Sequence, residues 1–148
     1  MTSDSRDDAG RPPPDVRPDI GPAATNCEQA SDSILIERIS RGSVTAFAAL
    51  FDRTSEAARA ELAAGLPGAG EILAASYVEV WWLAGCLRTS KTDATGWITG
   101  IVRRRAAEAG RAIQRQGRAA ALEDPRPSPA ELEVASLLRR PVDRLLRP

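Results

Sequence analysis

The spacing of its apolar residues is the feature that most restricts how this 148-residue chain can fold. From Ser31 to Arg118, apolar side chains recur every three to four residues, as they do on the buried side of an amphipathic helix. Strand-like alternation of apolar and polar residues does not occur in the sequence. We therefore predict an all-α fold, a small bundle of about four helices followed by a C-terminal helix.

The sequence divides into four predicted parts. Residues 1–30 are rich in proline and aspartate and poor in large apolar residues, so we expect a disordered leader. Residues 31–118 are predicted to form the helical domain, and residues 119–127 a linker marked by Pro125 and Pro127. Residues 128–148 are predicted to hold a short C-terminal helix, because Ser128 and Glu131 have the spacing of a capping box.

Capping residues and glycines set the expected helix boundaries inside the domain. Ser31 or Asp32 can cap a first helix that ends near Gly42, and Ser43 can cap the second. The sequence GLPGAG, at 65–70, then interrupts the helical pattern. A third helix is predicted from about residue 71 to residue 87.

The third helix carries apolar residues on two sides, one of which is expected to face the core. The other side, called here the α3 stripe, consists of Glu71, Ala74, Ala75, Val78 and Trp82. A helix that is apolar on both sides normally has a contact on both sides. Trp82 can be an incidental half-buried indole or an interface anchor, because tryptophan is enriched where proteins bind one another.

The segment from Thr95 to Arg118 holds six arginines and one glutamate on a predicted helix. A solvated helix surface is one interpretation of this charge pattern. Nucleic-acid contact is the other, because like charges at helical spacing repel one another unless an anion offsets them. Trp97 at the start of the helix favours the second interpretation, since arginine and aromatic side chains together bind single-stranded nucleic acid.

Several function classes find no support in the sequence. The chain has no histidine, no phosphate-binding P-loop and no nucleophile elbow, so we expect no enzyme, cofactor or metal. Its two cysteines, Cys27 and Cys86, suggest neither a disulfide framework nor a metal cluster, which is typical of a cytoplasmic protein. No apolar run approaches the length of a membrane span, so no membrane contact is expected.

Three segments in order resemble region 2 of the bacterial extracytoplasmic-function (ECF) sigma factors. The first two helices of that region are similar to DSILIERISRGSVTAFAALFDR, the third to GEILAASYVEVWW, and the fourth to ATGWITGIVRRRAAEAGR. The resemblance covers residues 31–118.

The resemblance implies a transcription initiation protein. In the family, the third helix docks on the clamp coiled coil of core RNA polymerase and the fourth recognises and melts the minus-ten promoter element. Polymerase binding would then fall to the α3 stripe. DNA binding would fall to Trp97, Arg103, Arg104, Arg111, Arg115 and Arg118.

Departures from the family pattern favour an alternative. Ala74 and Ala75 stand where the family usually has a glutamine and an acidic residue, and Arg104 replaces a common asparagine. Residues 131–148 resemble at most the first helix of region 4, so we expect that domain to be truncated or missing. The alternative function is a degenerate sigma-like module that regulates transcription by protein–protein interaction, for instance with an anti-sigma protein, without opening promoters.

Overall fold

The computed structural model of the chain describes residues 26–87, 93–116 and 126–145 and confirms the all-α prediction. Within these ranges no strand is present. A 3-10 turn at Ala84–Cys86 continues the third helix. The α-helices from the first predicted cap onward are α1 Asp32–Ser40, α2 Val44–Ala60, α3 Ala69–Leu83, α4 Ala94–Gln116, α5 Pro129–Leu138 and α6 Val142–Leu145.

Three predicted helix caps are confirmed. The Ser31 hydroxyl accepts a hydrogen bond from the backbone N–H of Ile34 at 3.5 Å, and Ser43 accepts one from Ala46 at 3.2 Å. At the start of α5, Ser128 accepts from the N–H of Glu131, whose carboxylate accepts from the N–H of Ser128. This reciprocal pair is the capping box that satisfies two otherwise unpaired donors.

Helices α2 and α3 form the centre of the bundle. Phe47 and Phe51 of α2 are buried against Tyr77 of α3, and Trp81 packs edge-on to Phe47 with ring centroids 5.4 Å apart. Helices α1, α4 and α5 each pack against both α2 and α3. The core therefore includes one apolar surface from each surrounding helix.

One buried polar pair joins the two central helices. Thr54 donates its hydroxyl hydrogen to the carbonyl oxygen of Leu50 at 2.7 Å, and its oxygen lies 2.8 Å from the Tyr77 hydroxyl. Because threonine has only one hydroxyl hydrogen, Tyr77 must be the donor to Thr54. Burial raises the pKa of Tyr77 to about 12, so this phenol keeps its proton at neutral pH.

This pair gives a prediction about stability. The substitution Thr54→Val leaves the buried Tyr77 hydroxyl without an acceptor, so the free energy of unfolding should fall by about 1–3 kcal/mol. Tyr77→Phe is the matched control: it removes the hydroxyl and leaves the Thr54–Leu50 hydrogen bond intact, so it should cost less. Urea denaturation followed by circular dichroism measures both, and an equal or larger loss in Tyr77→Phe would contradict the assignment.

The predicted C-terminal helix shares the core of the bundle. Val134, Ala135 and Leu138 of α5 belong to the same buried cluster as α2 and α3. Arg140, which follows α5, makes a bidentate ion pair with Asp52 of α2. Of the predicted linker, residues 119–125 lie outside the described residues.

The last five residues of the predicted leader, 26–30, are described and contact the domain. Cys27 is buried, and the Arg38 guanidinium donates to its Sγ at 3.2 Å. Arg53 donates to the carbonyl oxygens of Glu28 and Ala30, both at 3.0 Å, and to the Asp32 carboxylate. Residues 1–25, the rest of the predicted leader, lie outside the described residues. Among the described helices, none combines the length and apolar character that crossing a membrane requires.

Candidate functional site

Helix α4 carries five of the six predicted DNA-binding residues, namely Trp97, Arg103, Arg104, Arg111 and Arg115. Ile98, Ile101 and Val102 are buried against the bundle, and Arg103 and Arg104 are exposed. At about 100° per residue, the side chains of Trp97, Arg104, Arg111 and Arg115 fall within about 40° of one another around the helix. We call these four residues the arginine face.

Trp97 lies at the edge of the buried surface. Its indole is half-buried and packs against the apolar core. This packing fixes its position in the first turn of α4, two turns before Arg104. The part of the ring that is not buried belongs to the arginine face.

Arg103 does not extend freely into solvent. Its Nε and one terminal nitrogen donate to the two carboxylate oxygens of Glu61, just after α2, at 3.0 and 2.9 Å. These hydrogen bonds hold the pKa of Glu61 below its usual value. The Arg103 side chain is still 67% exposed, so the pair is screened by water and salt.

Glu79 of α3 joins two neighbouring arginines. One of its carboxylate oxygens accepts a hydrogen bond from Arg104 at 2.5 Å, and the other accepts two from Arg105 at 2.8 and 3.0 Å. Partial burial alone would raise the pKa of Glu79, but the hydrogen bonds from both arginines outweigh it and lower the pKa. Glu79 is therefore charged at neutral pH and is the most enclosed of these side chains.

The C-terminal part of α4 differs from the middle of the helix in its ion pairing. Arg111 and Arg115 are exposed, and neither has an ion pair or hydrogen bond within residues 26–87, 93–116 and 126–145. Arg118, also predicted to bind DNA, lies outside the described residues. Among the described residues of α4, Arg111 and Arg115 are therefore the arginines whose charge is not already paired.

In the folded chain, the net positive charge around the middle of α4 is lower than the sequence of α4 alone indicates. Glu61, just after α2, and Glu79 of α3 place two carboxylates beside Arg103, Arg104 and Arg105. These carboxylates offset the repulsion between the arginines. That repulsion was one of the reasons for expecting nucleic-acid contact from the sequence. Sequence reasoning missed both glutamates because they are far from α4 in the chain, so no local pattern connects them to its arginines. Glu61 and Arg103, for example, are 42 residues apart.

The α3 stripe is only partly accessible. Trp82 is 69% exposed and Glu71 is exposed, while Ala75 and Val78 are half-buried. Ala74 has no exposed surface and belongs to the core cluster. A partner of this helix would therefore contact an edge centred on Trp82, without reaching Ala74.

Together these features define the class of protein as an all-α helical bundle with two candidate binding surfaces on adjacent helices, one basic and one apolar. A comparison of the chain with family models, curated proteins and solved structures finds no match.

Proposed function

We propose that this chain is a cytoplasmic, sigma-factor-like transcription initiation protein. Helix α3 would bind the clamp coiled coil of core RNA polymerase, and α4 would bind the melted minus-ten element of a promoter. The resemblance of residues 31–118 to region 2 of ECF sigma factors supports the proposal.

One structural observation carries the proposal. Trp82 exposes more than two thirds of its surface on α3, and Arg111 and Arg115 project from the adjacent α4 without partners among the described residues. A large exposed aromatic is typical of a protein-binding anchor, and exposed arginines with a nearby indole suit single-stranded nucleic acid. A sigma-like protein needs both partners at once.

In-vitro transcription tests the proposal most directly. Core RNA polymerase supplemented with this chain should produce transcripts from promoter templates that are silent with core enzyme alone. A chain with Arg103, Arg104 and Arg111 replaced by alanine should give fewer transcripts. If neither chain supports transcription, it is not a working initiator.

The ion pairs of α4 favour a second candidate function, a sigma-like module that acts through protein–protein interaction alone. Glu61 and Glu79 occupy three of the arginines in this structure, which leaves fewer charges for phosphate. Such a module would still use Trp82 to bind a polymerase or an anti-sigma protein. It would show weak, salt-insensitive contact with DNA.

The double substitution Arg111→Ala/Arg115→Ala separates the two candidates. Each phosphate contact to a single strand contributes about 0.7 to the slope of log affinity against log salt, or about threefold in affinity near 0.2 M salt. The variant should therefore bind a short labelled single strand about tenfold more weakly, with a slope lower by about 1.4. Fluorescence anisotropy across a salt series measures both quantities.

The control for this comparison is Arg41→Ala/Arg144→Ala, which removes two exposed arginines, one just after α1 and one in α6, and lowers the net charge equally. It should leave the salt slope unchanged. Equal losses in the two double variants would indicate a general charge effect and would favour the interaction module.

A further inference from the structure

The exposed edge of α3 and the arginine face lie on the same side of the protein. Glu79 marks the line of contact between α3 and α4, because its carboxylate accepts hydrogen bonds from Arg104 and Arg105. Arg104 is the more exposed of these two arginines, so it lies on the outer side of that line. On α3, Trp82 is about 60° around the helix from Glu79, on the side away from the buried Val80. Trp82 and Arg104 therefore border one outer surface of the α3–α4 pair.

The direction of the two helices sets the order of residues along this surface. Helices α3 and α4 pack against each other, and the link that joins them is residues 87–93. A link of this length joins antiparallel neighbours. Trp82 comes three residues after Glu79 and Trp97 seven residues before Arg104. In an antiparallel pair, both tryptophans therefore lie toward the same end, called here the aromatic end.

The exposed arginines of α4 lie toward the opposite end of the surface. Arg111 and Arg115 follow Arg104 by about 10 and 16 Å along the helix axis. Two exposed carboxylates lie in the same direction, Glu108 on α4 and Glu71 on α3. The outer surface thus carries aromatic rings at one end and charged side chains at the other.

Sites for single-stranded nucleic acid combine these two features, because bases stack on aromatic rings while positive charge follows the phosphates. We infer that Trp82 is a base-stacking residue, so that a strand bound to α4 continues across the outer surface onto α3. The inference rests on the nucleic-acid binding in the proposed function. Trp97 is half-buried against the core, whereas Trp82 is 69% exposed and offers the larger ring surface. Polymerase bound to α3 would cover the same ring, so the stacking belongs to the chain without polymerase.

The substitution Trp82→Ala tests the inference in the chain without polymerase. Loss of one stacked base should weaken binding of a short labelled single strand by about tenfold. The slope of log affinity against log salt should stay at the parent value, because the slope reports phosphate contacts and stacking adds none. Fluorescence anisotropy across a salt series measures both quantities, and circular dichroism checks that the variant keeps the helical content of the parent.

An abasic strand of the same length isolates the contribution of stacking. The parent chain and Trp82→Ala should bind this strand equally, because its phosphates remain and it has no base to stack. Trp82→Phe keeps a ring and should recover part of the affinity for the ordinary strand. Leu132→Ala shortens another exposed apolar side chain, on α5, and should bind both strands like the parent.

The outcomes separate this inference from the proposed function. If Trp82→Ala binds the ordinary strand as tightly as the parent does, or loses the same affinity for both strands, Trp82 stacks no base. Binding of nucleic acid by α4 would still stand in that case, provided that the parent chain binds the strand with a salt-dependent affinity. If the parent chain binds neither strand, the nucleic-acid binding in the proposed function fails and the inference falls with it.

Discussion

Replacement of Trp82 by alanine is expected to weaken binding of the chain to core RNA polymerase by about 30-fold, equivalent to about 2 kcal/mol. The indole is the largest exposed apolar side chain among the described residues, and it lies on the accessible edge of the α3 stripe. Because 69% of its surface is exposed in the free chain, its removal should leave the free energy of unfolding almost unchanged. Biolayer interferometry with immobilised polymerase measures the affinity, and urea denaturation measures the stability.

Two further variants make this prediction specific. Trp82→Phe keeps an aromatic ring and should recover part of the lost affinity. Ile34→Ala shortens another exposed apolar residue, on α1 and outside the stripe, and should bind like the parent chain. If Ile34→Ala and Trp82→Ala weaken binding equally, or if neither does, α3 is not the polymerase-binding surface.

Much of the fold could be predicted from the sequence because its signals are local. Ser31, Ser43 and Ser128 cap their helices where the spacing predicts, and each cap depends only on residues three positions away. The buried stripe of Leu73, Tyr77 and Val80 also follows from helical periodicity. The third helix begins two residues earlier than predicted, at Ala69, because Gly68 adopts the left-handed conformation that turns the chain into α3.

The location of α5 could not be predicted in the same way. Its own sequence indicates a capped amphipathic helix, but its packing on α2 and α3 joins distant parts of the chain, as the ion pair between Arg140 and Asp52, 88 residues apart, illustrates. The burial of Ala74 has the same origin: helical spacing assigns it to the α3 stripe, and only the packing of other helices on that side shows that it is inaccessible. Long-range contacts of this kind leave no periodic trace in a single sequence.

The candidate DNA site shows the same division between local and distant signals. The arginine face is visible in the spacing of Arg104, Arg111 and Arg115, and the structure keeps all three exposed on one side of α4. The carboxylates that pair with the middle of α4 belong to Glu61, just after α2, and to Glu79 of α3, and the spacing of the arginines gives no sign of them. They change the expected chemistry, because a phosphate approaching Arg103 or Arg104 must compete with a carboxylate already bound there.

The competition between carboxylate and phosphate for these arginines leads to a second prediction, a large gain in affinity for nucleic acid. The double substitution Glu61→Gln/Glu79→Gln removes both carboxylate charges and releases Arg103, Arg104 and Arg105 for phosphate. Three additional contacts to a single strand correspond to about 30-fold tighter binding near 0.2 M salt and a salt slope steeper by about 2. Fluorescence anisotropy with a short labelled single strand across a salt series gives both values.

A matched control distinguishes local release of the arginines from a general increase in positive charge. Glu56→Gln/Glu133→Gln removes two exposed carboxylates from α2 and α5 and changes the net charge by the same amount. Glu61→Gln/Glu79→Gln should steepen the salt slope and Glu56→Gln/Glu133→Gln should not, because among the described residues Glu61 and Glu79 are the glutamates that pair with the arginines of α4. If the slope stays flat in both double variants, these arginines serve to join α4 to α2 and α3, and the loss of their partners should appear instead as a lower free energy of unfolding. A steeper slope confined to Glu61→Gln/Glu79→Gln would mean that the chain restrains its own affinity for nucleic acid through two carboxylates on neighbouring helices.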